Sequence, residues 1–233
     1  MSVTAIVAAA GSGTRMGIGE KKQYIEICGK PVIAYSIEVL LKMDEIESVV
    51  LVIPEGDRMR VENDLLNNIC GKEKIIIVNG GASRQESVAR GILAAPAETE
   101  TLLVHDGARP FVTEEMVSEC IKKAKLHGAC SAAVPVKDTI KYSSDGLTVD
   151  STPERGCLFI IQTPQAFDFD LIKKAHEKAE AEGFEGTDDA MLVEAMGEKV
   201  ALSKGSYGNI KLTSPEDVPF AEILAARQRG ILE

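Results

Sequence analysis

Residues 5–24 read AIVAAAGSGTRMGIGEKKQY, in which an apolar run of small and branched side chains leads into a glycine-rich loop and then into basic residues. A continuous apolar run suits a strand that is buried on both faces of a parallel sheet. Three comparable runs follow at 49–53, 75–78 and 102–105, and a fifth apolar run lies at 131–136. Segments with helical periodicity separate them, at 31–43, 58–69, 85–94 and 114–127. The alternation predicts a three-layer α/β fold around a mostly parallel sheet.

A polar segment at 137–156, KDTIKYSSDGLTVDSTPERG, interrupts this alternation. Its β-prone residues and its Asp145-Gly146 turn signal predict a β-hairpin that protrudes from the domain as an arm. Beyond the arm, the sequence predicts a short strand at 158–162 and helices near 170–182, after Thr187 and after Ser214-Pro215. The 233 residues suffice for one sizeable core, so we expect a single domain over 1–233 that includes the arm.

The composition is that of an ordinary globular protein, with 45% hydrophobic and 27% charged residues. No apolar run reaches the roughly 18 residues that span a bilayer, and the N-terminus lacks signal-peptide features, so we expect a cytoplasmic protein without a membrane partner. A net charge of −10 argues against a nucleic-acid partner, because binding to phosphate backbones relies on clustered Lys and Arg. The five cysteines and three histidines offer no metal-ligand spacing, which favours reduced structural thiols.

The glycine-rich loop follows the first predicted strand, at the edge of the sheet where parallel α/β proteins bind ligands. A dinucleotide-binding dehydrogenase would need glycine at position 16, which is Met16, and an acid after the second strand, where Glu55 could serve. The Walker motif fails as well, because no GK[ST] follows the loop. What remains is either a structural turn or a loop whose backbone N–H groups wrap phosphate oxygens beside Arg15 and Lys22.

Two further predicted strands end in polar, glycine-containing turns. In NGGASR, residues 79–84, adjacent glycines let the backbone approach a flat ligand, and Ser87 can hydrogen-bond the edge of that ligand. In VHDGARP, residues 104–110, Asp106 and Arg109 lie at the tip of an apolar strand. The competing structural interpretations are a glycine turn with a helix cap and a surface ion pair. His105 is interpreted as a core histidine.

The motifs taken together resemble one enzyme family. AAAGSGTRMG with KKQ, GGASRQESV, VHDGARPFV, KDTIK, QTPQAF, TDDA and NIKLTSPED occur in order between about residue 3 and residue 220, as in 2-C-methyl-D-erythritol 4-phosphate cytidylyltransferases. The resemblance implies a nucleotide-diphosphosugar transferase-like fold and a homodimer that exchanges the arm. It also implies that CTP and 2-C-methyl-D-erythritol 4-phosphate react to give 4-diphosphocytidyl-2-C-methyl-D-erythritol and pyrophosphate, in non-mevalonate isoprenoid biosynthesis.

The resemblance also implies roles for individual residues. Arg15 and Lys22 match a pair that stabilises the transition state, and Lys211 and Arg155 match residues that position the polyol phosphate. The implied nucleotide-binding positions are Ala9, Ala10, Gly11, Gly13, Gly81, Ala82 and Ser87. The implied substrate-binding positions are Asp106, Arg109, Thr139, Thr163 and Thr187. Mg²⁺, or another divalent cation, is expected to be held mainly by the triphosphate. The chain departs from the family pattern at Ala82-Ser83, where some relatives carry an acid, and at Gly107, where they often carry alanine.

The implied reaction explains why the sequence contains no Ser-His-Asp or Cys-His constellation. A phosphate monoester is largely dianionic near neutral pH, since its second pKa is about 6, and can attack the α-phosphorus of CTP without a general base. Ribitol 5-phosphate cytidylyltransferases share the glycine loop, the DxxRP turn and the TPQ segment, although the AAAGSGTRM start and TDDA favour the erythritol enzyme. A non-catalytic nucleotide-binding module is a more distant alternative. Such a module could dispense with Arg15 and Lys22, and both are present here.

Overall fold

The computed structural model describes residues 2–11, 21–228 and 230. Within them lie nine strands: β1 (Ser2–Ala8), β2 (Glu26–Ile27), β3 (Lys30–Pro31), β4 (Ile46–Ile53), β5 (Ile75–Asn79), β6 (Thr99–Asp106), β7 (Ala129–Pro135), β8 (Phe159–Asp168) and β9 (Ala201–Lys204). β2 and β3 form a small antiparallel sheet, and the other seven form one sheet in the order β5-β4-β1-β6-β8-β7-β9. Only β8 runs antiparallel to its neighbours among these seven strands. The predicted mostly parallel sheet is confirmed.

The helices of the described chain are α1 (Val32–Lys42), α2 (Arg58–Arg60), α3 (Arg84–Ala94), α4 (Glu114–His127), α5 (Phe169–Glu182), α6 (Asp189–Glu194) and α7 (Asp217–Gln228). The helix predicted at 58–69 is irregular, because it continues after α2 as a π turn, Val61–Leu65, and a 3-10 turn, Leu66–Asn68. Side-chain oxygens cap four helices by accepting a hydrogen bond from a first-turn N–H. These caps are Ser83 on α3, Thr113 on α4, Asp168 on α5 and Asp188 on α6.

The sheet lies between two helical layers, as the sequence predicts. Along β1, Val3, Ala5 and Val7 pack in the core that contains α1 and α4 side chains. Ile6 points to the opposite core, which α3, α5 and α6 cover. Successive side chains of a strand point to opposite faces, so a continuously apolar strand can fill both cores. A smaller cluster packs α7 against α1 and β2.

Two strands differ from the sequence prediction. The predicted strand at 158–162 is longer in the structure, since β8 runs from Phe159 to Asp168. It pairs with both β6 and β7 and begins at the edge of the sheet where the parallel strands end. β9, with the sequence ALSK, was not predicted; it extends the sheet beside β7.

The arm, residues 137–156, folds back on itself with one antiparallel bridge, between Tyr142 and Ser151. Its side chains are largely exposed, and most of its hydrogen bonds run within the arm, for example from Lys141 to Thr152 and from Leu147 N to Asp145. The predicted hairpin is therefore present, with a single bridge in place of a regular ladder. As far as the chain is described, none of its helices has the length and apolar character to cross a membrane.

Candidate active site

The C-terminal ends of β1 and β6 open into a cavity of about 430 Å³. The order of the strands along the chain reverses here, because β4 and β5 lie on one side of β1 while β6 lies on the other. Parallel α/β sheets bind ligands at such switch points. Six of the predicted nucleotide-binding residues line this cavity: Ala9, Ala10, Gly11, Gly81, Ala82 and Ser87. Lys22, Arg84, Asp106 and Lys211 also line it.

Two glycines allow the backbone to pack closely around this cavity. A Cβ at Gly80 would lie 2.1 Å from the Cβ of Ala10, and a Cβ at Gly107 would lie 2.9 Å from the Cβ of Ala9. Side-chain atoms cannot approach so closely, so the strand ends could not keep their present positions with larger residues. Next to Gly80, the Ser87 hydroxyl accepts a hydrogen bond from Gly81 N at 3.0 Å and donates one to Ser83 O at 2.8 Å. The serine thus fixes the glycine turn.

Asp106 is the anionic centre of the site. Its Oδ1 accepts a hydrogen bond from Arg84 Nε at 3.0 Å, and its Oδ2 lies 2.8 Å from Lys211 Nζ. Arg109 Nε lies further away, 3.7 Å from Oδ2. Burial alone would raise the pKa of the Asp106 carboxyl, but Arg84, Lys211 and Arg109 outweigh it and hold that pKa well below its ordinary value. Asp106 is therefore ionised at neutral pH and tethers Lys211.

A second cavity, of about 240 Å³, lies beside the first. Arg109, Thr163 and Thr187 line it, as does Asp188. Three residues line both cavities: Arg84, Asp106 and Lys211. These two cations and one anion thus form the wall at which molecules bound in the two cavities would meet.

Arg84 also has a second carboxylate partner, Asp189. Its Nη2 lies 2.8 Å from Asp189 Oδ2, and Asp189 Oδ1 lies 3.2 Å from His176 Nε2. Burial acts to lower the pKa of Arg84, yet the two carboxylates outweigh it and raise that pKa above its ordinary value. For Asp189, burial would raise the pKa, but the charge of Arg84 and the contact with His176 lower it. The guanidinium is thus held as a cation between two buried carboxylates.

His105 is a core residue, as predicted. Its Nε2 donates to the carbonyl of Arg109 at 3.0 Å, so its Nδ1 accepts from the Thr163 hydroxyl at 3.2 Å. The Thr163 oxygen in turn accepts from Asp106 N. Burial lowers the pKa of His105 to about 4, so the imidazole is neutral at physiological pH. His105 therefore orients the Asp106 and Arg109 turns and carries no charge there.

The predicted site residues fall into three groups. Most line the two cavities described above. Thr139 and Arg155 line neither of them; both are exposed on the arm, where Arg155 Nη1 donates to Lys137 O at 3.0 Å. Gly13 and Arg15 lie outside the described residues. The prediction also missed Arg84, although it lies within the NGGASR turn, and it missed Asp189, which pairs with Arg84, and His176, which contacts Asp189.

The described residues contain no cluster of three or more histidine, cysteine or acidic side chains that could hold a metal ion. Asp106, the carboxylate that lines the first cavity, already has one oxygen on Arg84 and the other on Lys211. Each oxygen keeps a second lone pair, but the charges of Arg84 and Lys211 already balance that of the carboxylate.

A comparison of the sequence with models of known families identifies the family of this chain. The sequence model for 2-C-methyl-D-erythritol 4-phosphate cytidylyltransferase, IspD, matches residues 3–227. The chain belongs to this family. It is a nucleotidyltransferase by membership, and its fold is nucleotide-transferase-like α/β. The predicted resemblance is thereby confirmed.

Individual relatives of this cytidylyltransferase are similar over nearly their full length. The 2-C-methyl-D-erythritol 4-phosphate cytidylyltransferase of Bacillus licheniformis is 47% identical over 231 residues, which cover 99% of each chain. The crystal structure of 4-diphosphocytidyl-2C-methyl-D-erythritol synthase from Anaerococcus prevotii matches with a TM-score of 0.88 and 37% identity, over 97% of this chain and 96% of that one. The Thermus thermophilus cytidylyltransferase structure matches with a TM-score of 0.79 and 31% identity, over 97% and 99% of the two chains.

Proposed function

We propose that this protein joins CTP and 2-C-methyl-D-erythritol 4-phosphate to give 4-diphosphocytidyl-2-C-methyl-D-erythritol and pyrophosphate, as a step in isoprenoid precursor biosynthesis. Family membership supports the reaction. The structural observation that carries it is the pair of adjacent cavities that share Arg84, Asp106 and Lys211. A nucleotidyl transfer needs two anionic substrates to lie side by side, with cations between them.

CTP occupies the first cavity in this proposal. The small residues Ala9, Ala10 and Gly11 let the backbone approach the nucleotide closely, and Gly81, Ala82 and Ser87 contact the cytosine edge. Gly13 and Arg15 lie outside the described residues, and their proposed role in binding the triphosphate rests on the family resemblance of the sequence. Lys22 lies in the cavity wall, where a fixed cation stabilises the charge that grows on the α-phosphoryl group and on departing pyrophosphate.

The polyol phosphate occupies the second cavity. Asp106, Thr163 and Thr187 offer oxygen atoms to its hydroxyl groups, and Arg109 and Lys211 offer positive charge to its phosphate. The phosphate of the acceptor is already ionised near neutral pH and attacks the α-phosphorus directly, so the residues position the reactants and need not remove a proton. Inversion at the α-phosphorus forms the new P–O bond as the bond to pyrophosphate breaks.

Mg²⁺ is the divalent cation we propose for this reaction. Because Arg84 and Lys211 balance the charge of Asp106, and the described residues hold no metal-ligating cluster, the triphosphate would supply most of the ligands of the ion. When bound, the ion neutralises part of the triphosphate charge. Lys22 and Lys211 act on the remaining charge.

We also propose that two chains associate through their arms. Leu147 is 90% exposed and Val149 61% exposed, and the start of β8 beside the arm exposes three consecutive apolar residues, Phe159–Ile161. An isolated two-stranded hairpin is marginally stable in water, so a surface of this kind needs a partner. A two-fold dimer would let each arm carry Thr139 and Arg155 to the site of the other chain.

A pyrophosphate-release assay tests the function. The protein is supplied with each of the four common nucleoside triphosphates in turn, against a panel of acceptors that includes 2-C-methyl-D-erythritol 4-phosphate and ribitol 5-phosphate. We expect release with CTP and the erythritol phosphate, and a strong dependence on a divalent cation. Faster turnover with ribitol 5-phosphate would overturn the proposed acceptor, and no release with any acceptor would overturn the proposed activity.

A further inference from the structure

We propose that Asp189 and His176 are positioning residues: they fix Arg84 at the wall between the two cavities, and Arg84 in turn fixes Asp106 and Lys211. The inference rests on the proposed function, because it assumes that the two substrates meet at this wall. It assigns a role to the second acid of the TDDA motif, whereas the sequence comparison pointed only to Thr187.

The contacts form one continuous chain across the domain. His176 Nε2 lies 3.2 Å from Asp189 Oδ1, and Asp189 Oδ2 lies 2.8 Å from Arg84 Nη2. Arg84 Nε then donates to Asp106 Oδ1 at 3.0 Å, and Asp106 Oδ2 lies 2.8 Å from Lys211 Nζ. These side-chain contacts therefore link α5, α6, α3 and β6 to the segment after β9. Four packed elements thus determine the position of Lys211.

Burial separates the positioning residues from those that can touch a ligand. The side chain of Asp189 is 1% exposed and that of His176 is 5% exposed, and neither residue lines either of the two cavities described above. The side chain of Arg84 is 29% exposed and lines both. Asp189 and His176 can therefore influence bound substrate only through Arg84.

The charges explain why Arg84 needs two anions. Arg84 is the first residue of α3, and the N-terminus of a helix disfavours a cation. Arg84 therefore does not stabilise α3 through its charge. Its planar guanidinium can contact Asp106 and Asp189 at the same time, in a geometry that the single nitrogen of lysine cannot reproduce. Without Asp189, the guanidinium would have Asp106 as its carboxylate partner and would compete with Lys211 for the same oxygens.

The neighbouring acid, Asp188, has a different task. Its Oδ1 accepts from Met191 N and caps α6, and its Oδ2 accepts from Gln165 Nε2 at 2.7 Å. The helix cap is therefore already supplied by Asp188. Asp189 is left to contact Arg84 and His176.

The test compares steady-state kinetics of the full-length protein with CTP and 2-C-methyl-D-erythritol 4-phosphate. The variants are Asp189→Asn, Arg84→Lys and the double variant, and each is assayed well below its unfolding temperature. We expect Asp189→Asn to lower kcat/KM by about 10- to 100-fold for both substrates, because displacement of a positioned group by about 1 Å has effects of this order. In the Arg84→Lys background the same change should add little, because both substitutions break the same chain of contacts.

A conservative pair at position 176 distinguishes positioning from packing. Glutamine in His176→Gln can still donate a hydrogen bond to Asp189, whereas leucine in His176→Leu cannot. We expect His176→Gln to keep nearly wild-type kinetics and His176→Leu to lose part of what Asp189→Asn loses. This pair also decides the question if Asp189→Asn fails to fold. Asp168→Asn is the matched control, since it makes the same chemical change at an exposed helix cap outside the site.

The outcomes separate the inference from the function on which it rests. A wild-type protein that releases no pyrophosphate from CTP and the erythritol phosphate would overturn the proposed function and the inference together. An active wild type with Asp189→Asn kinetics within about twofold of it would overturn the inference alone. Full additivity of Asp189→Asn and Arg84→Lys, or equal losses in His176→Gln and His176→Leu, would also overturn it.

Discussion

The strand-end site and the arm are two regions of one chain with opposite physical character. In the site, charged groups are buried and paired, as Asp106 is with Arg84 and Lys211. In the arm, apolar side chains such as Leu147 and Val149 are exposed, and one backbone bridge and a few exposed hydrogen bonds link the two halves. Buried charge is tolerated where it is paired and hydrogen-bonded, and here the partners belong to the same chain, whereas exposed apolar surface is stabilised when another surface covers it. The difference indicates that the site is preorganised within one chain and the arm is not.

The largest expected effect tests the preorganised half of this comparison. Lys22→Ala should lower kcat by about 10² to 10³, the usual cost of removing one donor that stabilises transition-state charge, and should weaken CTP binding less. Arg15→Ala should behave in the same way. Lys21→Ala is the matched control, because Lys21 pairs with Asp57 at 2.7 Å and does not line the cavity. Unchanged kcat with a raised KM for CTP would mean that Lys22 only binds the nucleotide.

The second prediction tests whether the arm completes a site in another chain. Equal amounts of inactive Lys22→Ala and inactive Arg155→Ala proteins are mixed, and subunit exchange is verified by pull-down of a tagged chain. About half of the dimers should be mixed, and each contains one site with both residues intact, so about a quarter of wild-type activity should return.

The control for this experiment is a mixture of Lys22→Ala and Lys211→Ala proteins. Both of these residues line the same cavity of one chain, so each site of a mixed dimer would lack one of them and no activity should return. If the Lys22→Ala and Arg155→Ala mixture stays inactive after verified exchange, Arg155 acts within its own chain and the distinction between the two regions fails.

The smallest expected effect concerns the stability of the site rather than its rate. Burial lowers the pKa of His105 to about 4 in the folded protein, compared with about 6.5 in the unfolded chain. The unfolded chain therefore binds a proton between these values that the folded protein does not, so the free energy of unfolding should fall as the pH drops from 6.5 toward 4. The loss from this residue is about 3 kcal/mol and is absent above pH 7.

Denaturant titrations between pH 7 and pH 4 measure this loss. His105→Gln should remove the corresponding part of the pH dependence, because glutamine can donate and accept hydrogen bonds without titrating. His127→Gln is the control, since His127 is exposed at the end of α4 and should leave the dependence unchanged. Equal pH dependence in wild type and His105→Gln would contradict the argument.

The sequence was sufficient for the parts of the fold that depend on local pattern. The apolar run 5–10 predicted the first strand, which the structure has at Ser2–Ala8, because apolar continuity is a local signal. The turns at Gly80 and Gly107 were recognisable because glycines follow apolar runs there. β9 was not, because ALSK is only four residues long and becomes a strand by pairing with β7. The segment from 58 to 69 has helical periodicity, but periodicity does not reveal that the helix changes to π and 3-10 turns there.

The candidate site divides in the same way. Asp106 and Lys22 could be named from turns that follow predicted strands, and Lys211 from the resemblance of NIKLTSPED to the family. The role of Arg84 could not be predicted from the residues next to it in sequence, because its second partner, Asp189, belongs to a helix far away in sequence. Which cation meets which buried carboxylate is decided by how α3, α5 and α6 pack on the sheet, and that is a property of the folded chain.

The course of β8 from the arm to the site bears on how specific activity changes when the protein is diluted. The same strand exposes Phe159–Ile161 beside the arm and, a few residues later, buries Thr163 in contact with Asp106 and His105. The proposed association surface and the proposed ligand site thus lie on the same strand. By linkage, any substrate that binds the associated form more tightly than the single chain strengthens association by the same factor. Specific activity would then depend on the concentration of the protein as well as on that of its substrates.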